Sequence, residues 1–160
     1  SLPLFEKKYA GYLTAYKIPL APDQLDPTVF YYPEEGGDPK LLPSIQAQIA
    51  RDLEMITGTD QPFRIKGYYL VGNAVLPGNK HKNDDLKVII QINNDIKDTE
   101  VDGARSEAIL TIASKLSNRK AVGTCRNIVY VPTIRSIKDQ NYQGIYDVYG
   151  HTWLKQPNGG

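Results

Sequence analysis

Two short stretches hold the residues whose types and spacing suit chemistry. The apolar run Tyr68-Tyr69-Leu70-Val71 ends in Gly72-Asn73, and eleven residues later the chain continues Asp85-Leu86-Lys87-Val88. On an extended strand Asp85 and Lys87 point to the same side. The ammonium could then pair with the carboxylate or with a bound phosphate. A plainer reading makes Gly72 a turn glycine, Asp85 a turn residue beside Asn83-Asp84, and Lys87 a strand residue facing solvent. The stretch Gly72 to Lys80 has the ingredients of a phosphate-binding loop, but it is one residue too long and no Ser or Thr follows the lysine. His81 and His151 do not form a paired-histidine motif, and His151 falls in a turn. Cys125 stands beside Arg126 without a local histidine and reads as a structural thiol.

The elements that must position these residues follow from periodicity. Ile45, Ile49, Leu53 and Ile56 share one face of a helix at Ser44–Ile56, started near Pro43 and stopped by Gly58. A strand at Lys66–Gly72 leads into a loop, Asn73–Asp84, expected to be more mobile than its flanks because little after Leu76 is apolar. The next strand, Asp85–Asn93, alternates: Leu86, Val88, Ile90 and Ile92 on one face, Asp85, Lys87, Ile89 and Gln91 on the other. A helix at Asp102–Leu116 is expected to pack through Ile109, Ile112, Ala113 and Leu116. A strand at Asn127–Thr133 follows, then a hairpin of Gly144–Tyr149 and Thr152–Leu154 across Gly150-His151. This order predicts an α+β fold, a mixed β-sheet with helices packed on it. Upstream, Phe5, Tyr9, Tyr12 and Tyr16 form a helical stripe. Leu20 to Pro43 carries five prolines and Gly36-Gly37, which excludes a continuous helix. It reads as an extended connector, packed through Phe30, Tyr31 and Tyr32.

At Gly72-Asn73 and Asp85-Leu86-Lys87-Val88 the chain resembles the polymerase-beta-like nucleotidyltransferase superfamily. Its core motif is a strand ending in Gly-Ser or Gly-Gly, a loop of about ten residues, and a strand opening Asp-x-Asp or Asp-x-Glu. Phage-type members are also similar at Leu25-Asp26-Pro27, Leu41-Leu42-Pro43, Gly144-Ile145-Tyr146 and Trp153-Leu154-Lys155-Gln156-Pro157, so the likeness spans residues 25–157. The resemblance implies a nucleotidyltransferase-like core at 44–157, preceded over 1–43 by an N-terminal helix and a proline-rich arm packed on it. It assigns Asp85 a catalytic carboxylate's place, and Gly72, Asn73 and Lys87 the nucleotide or phosphate. Family members hold two metal ions on three carboxylates, which activate the attacking hydroxyl and neutralise charge on phosphorus. Here Asn73 stands for Ser or Gly, Lys87 for the second carboxylate, and Val129 or Asn127 for the third. The expected function is therefore a degenerate, phage-related nucleotidyltransferase-fold protein, a pseudoenzyme that binds nucleotide, RNA or protein. No metal or other cofactor is expected. Mg²⁺ enters only in the alternative of an active nucleotidyltransferase using Asp84 or Asp147. A second alternative is a structural component of a phage assembly.

Composition bounds these readings. The chain has 160 residues and a net charge of +1, with 11 Tyr, 3 Phe, 1 Trp and 1 Cys. A lone cysteine excludes an internal disulfide framework. The apolar runs are too short for a membrane span or a signal-peptide core. A cytoplasmic protein, in the host if phage-encoded, with no membrane partner is the expectation. Charge is uneven: residues 1–60 hold five basic and nine acidic side chains, and 101–160 hold eight and four. The basic set, Arg105, Lys115, Arg119, Lys120, Arg126, Arg135, Lys138 and Lys155, reads as a solvated surface or as a face for phosphate or nucleic acid.

Overall fold

The structure is a computed structural model that describes residues 24–57, 64–78, 83–92, 98–117 and 126–157. The expected helical stripe at residues 5–16 lies outside them. Among the described residues the fold is α+β, with a mixed five-stranded sheet and two α-helices. A two-residue strand β1 (Phe30–Tyr31) pairs antiparallel with β2 (Lys40–Leu41) ahead of helix α1 (Pro43–Ile56). Strands β3 (Ile65–Val71) and β4 (Leu86–Ile92) are antiparallel neighbours. Helix α2 (Val101–Leu116) then carries the chain across to β5 (Ile128–Thr133), which lies parallel to β4. That crossover is what a parallel pair requires. Strands β6 (Ile145–Asp147) and β7 (Thr152–Lys155) complete the sheet in the order β5-β4-β3-β6-β7.

The helices cover one face of the sheet. Ile45, Ile49, Leu53 and Ile56 of α1 are buried with Leu70, Leu86, Val88, Ile90, Ile92 and Tyr146, as the 3.6- and 2-residue periods predict. Pro43 fills the first turn of α1, where its missing N–H costs nothing. A buried polar cluster ties α1 to the sheet: Gln48 donates to Asp52 Oδ1 at 2.9 Å, and the Tyr130 hydroxyl donates to Asp52 Oδ2 at 2.6 Å.

Two packing expectations need correction, and one face of β4 holds more than alternation shows. Helix α2 buries Ala108 and Ile112, with Val101, Ala104 and Leu116 packed alongside, while Ile109 is 46% exposed and Ala113 faces solvent. Small alanines let the helix lie close to the core, so the stripe turns on Ala104 and Ala108 rather than on the bulkiest side chains. Ile89, placed by alternation on the polar face of β4, is buried. It packs with Val71, Ile137 and Ile145 in a second, smaller cluster under the segment that follows β5. Finally, Phe30 is buried, but Tyr31 and Tyr32 are 40% and 48% exposed. In a strand successive side chains take opposite sides, so Phe30 and Tyr31 cannot both point inward.

Burial pushes the phenols of Tyr68, Tyr69 and Tyr146 above their ordinary value of 10.0. Tyr149 adds to the effect at Tyr68, and Asp147 at Tyr69. At Tyr146 the Leu41 backbone works against it. The unfolded chain ionises these groups first, so the stability they contribute is complete below about pH 10 and falls as pH rises through the folded values. In an alkaline titration followed by near-ultraviolet absorbance and fluorescence together, ionisation of these three should lag and coincide with unfolding. A single ionisation step near pH 10 with the fold intact would contradict this.

Candidate functional site at the Gly72 and Lys87 strand ends

Gly72 leaves β3 with φ 86° and ψ −160°. That is a left-handed φ, which favours glycine. Among the described residues the space around it is open, since a Cβ there would meet only Lys87 Cβ at 3.9 Å. Backbone conformation, not crowding, therefore calls for glycine. The residues after it turn in a short 3-10 helix, Asn73–Val75, closed by a bond from Val75 N to Gly72 O of 3.2 Å. Ala74 and Val75 are buried, and Gly78 N donates to Gln24 O at 2.9 Å, so the first half of this loop is anchored. Residues 79–82, on which the rest of the mobility expectation falls, lie outside the described set.

Asn73, Asp85 and Lys87 are all exposed. Lys87 lies in register between Val71 of β3 and Val129 of β5. Val71 is fully buried and Val129 is 37% exposed, so no carboxylate flanks the lysine across either strand. Asn127 offers its backbone: its carbonyl accepts from Leu86 N at 2.8 Å. The expected pairing of Lys87 with Asp85 does not form, because among the described residues neither side chain has an ion-pair partner. The other proposed ligands sit elsewhere. Asp147 is opposite Tyr69, two residues along β3 from the partner of Lys87. Its Oδ1 accepts from Tyr149 N and Gly150 N, both at 3.0 Å, which fixes the turn into β7. Among the described residues no three His, Cys, Asp or Glu side chains gather closely enough to hold a metal ion.

What sequence reading missed here is the part played by Arg126. Its guanidinium is buried and donates to Asp26 Oδ2 at 2.8 Å. It also donates through Nε to Asp84 O at 3.1 Å and through a second nitrogen to the same oxygen. Asp26 in turn accepts from Thr28 N at 2.9 Å and from the Thr28 hydroxyl at 2.7 Å through Oδ1. One arginine thus joins the Leu25-Asp26-Pro27 turn, the start of β5 and the residue just before Asp85. The pairing of a basic residue with a turn aspartate a hundred positions away has no local sequence signal.

No protein-family model, curated protein or solved structure matches this chain. What the site can do must be read from its own atoms. It offers one ammonium, one carboxylate and a glycine turn, side by side at adjoining strand ends. Such a set can hold a phosphate through Lys87 and open backbone.

Proposed function

We propose that this protein is a degenerate nucleotidyltransferase-fold protein, phage-related by the same resemblance, that binds a nucleotide or an RNA phosphate without transferring it. The observation that carries the reading is the register of Lys87 between Val71 and Val129. An ammonium flanked by two valines stands where the resemblance expects carboxylates. At about 4 Å and an effective dielectric near 20, a unit charge pair interacts by roughly 4 kcal/mol. Exchanging a carboxylate for a lysine reverses the sign of that term toward a metal ion and makes the same place attractive to phosphate.

Calorimetric titration with nucleoside triphosphates, with and without Mg²⁺, tests this. Binding should not require metal, and Lys87→Gln should weaken it about tenfold. Lys87→Asp should instead raise Mn²⁺ affinity. Metal-dependent nucleotide transfer by the wild type, lost in Asp85→Asn, would show the active-enzyme alternative to be right.

A second reading, a structural component of an assembly, draws on Ile109 and Leu110, 46% and 72% exposed on α2. Sedimentation that stays monomeric at high concentration would count against self-assembly through that face.

A further inference from the structure

We propose that the cavity at the carboxyl ends of β4 and β5 binds a small phosphate monoester carrying a flat ring, of the nucleoside monophosphate class. The site is separate from the Gly72 and Lys87 strand ends and does not depend on their reading. Its volume is about 320 Å³, at the lower end of the range for small-molecule sites. It lies toward the carboxyl ends of a parallel strand pair joined by a helix, the place where ligands settle in strand-helix-strand units.

The charges decide its ligand class. Arg105 of α2 and Arg135, just beyond β5, line the same cavity. Both are exposed, and among the described residues neither guanidinium has a hydrogen bond or an ion pair. Asp102 also lines the cavity but pairs with neither. Arg126, by contrast, is buried and held by Asp26 and Asp84. Among the described residues that line the cavity, two unengaged guanidiniums stand against one carboxylate, a surplus positive charge that an anion would relieve. Planar guanidinium forks match phosphate oxygens in pairs. The positive end of the α2 dipole adds to the field, since the first residues of α2 form part of the wall.

The remaining groups suit orientation and a ring. Gln140 Nε2 donates to the Thr133 hydroxyl oxygen at 3.2 Å and to Arg135 O at 3.4 Å. That fixes the loop carrying Arg135 and leaves the Thr133 proton available to a phosphate oxygen. Val131 and Tyr142, both half-buried, supply an apolar wall on the sheet side. A bare phosphate would leave that wall wet, whereas a nucleobase would cover it.

The test is titration of the full chain with adenosine 5′-monophosphate, adenosine and inorganic phosphate, by calorimetry. The monophosphate should bind more tightly than either part. Arg105→Gln and Arg135→Gln should each weaken it about tenfold, as for the loss of a charge-assisted hydrogen bond. Asp102→Asn should tighten it, a gain that a merely structural role for Asp102 does not predict. Both arginines are exposed, so these variants should fold, and circular dichroism checks that they do. No binding of the monophosphate by the wild type, or wild-type affinity in both arginine variants, would overturn the proposal. Loss of binding in Lys87→Gln alone would overturn it too, and would place the nucleotide at the other end of β4.

Discussion

Asp26→Ala is expected to lower the unfolding free energy by about 3–5 kcal/mol, the usual cost of removing one partner of a buried ion pair. For a domain of this size that corresponds to a fall in Tm on the order of 10 °C. The Asp26 and Arg126 side chains are only 6% and 7% exposed and meet at 2.8 Å. Deleting the carboxylate strands a guanidinium away from water and also removes the oxygen that caps Thr28. A paired replacement, Asp26→Ala with Arg126→Met, should recover a good part of the loss, since it removes the stranded charge. Thermal unfolding of the two singles and the double forms a cycle. A single-variant loss below about 1 kcal/mol would mean the pair behaves like an exposed one.

Phe30→Ala should cost a comparable 3–5 kcal/mol, although it lies in a two-residue strand far from the main sheet in sequence. The Phe30 ring centroid is 5.3 Å from that of Trp153 and 5.7 Å from that of Tyr146, and the latter two are 5.1 Å apart and nearly perpendicular. Trp153 Nε1 donates to Pro39 O at 2.9 Å, and Lys40 Nζ donates to His151 O at 2.6 Å. The three rings and these two bonds fasten the segment before α1 to the final hairpin. Truncation of Phe30 should therefore open 24–42 to proteolysis before the sheet is cut. Tyr31→Ala, at a half-exposed neighbour, should stay within about 0.5 kcal/mol of wild type. Equal losses for the two variants would refute the anchoring role given to Phe30.

The helices and strands were legible because each has one dominant buried face: Ile45, Ile49, Leu53 and Ile56 in α1, and Leu86, Val88, Ile90 and Ile92 in β4. The reading faltered where burial came from elsewhere in the chain. Alternation puts Ile89 opposite the Leu86 face, but that Ile137 and Ile145 cover it there has no local signal. Ile109 looks inward until two alanines, which contribute little to a hydrophobic count, turn out to mark the contact. At the site, the line of Gly72, Asp85 and Lys87 along adjoining strand ends could be read directly, because a tight strand–loop–strand connection forces it. The valines beside Lys87 needed the register of two neighbouring strands. The clustering of Arg105 with Arg135 needed the crossover, which brings the second turn of a helix to the far end of a strand thirty residues later.

The position of β6 has a bearing on how the chain is made. In the finished sheet it lies between β3 and β7, yet it is made after β3, β4 and β5. Until it arrives, β3 has paired only on its β4 side. Its other edge carries free amides and carbonyls from Tyr69 to Val71, the residues that β6 will take. Phe30 waits equally for Trp153. A nascent chain stopped before residue 145 would hold a helix-backed but open-sided sheet, the kind of surface that recruits other strands or chaperones. Closure of the sheet on this side thus waits for the β6–β7 hairpin.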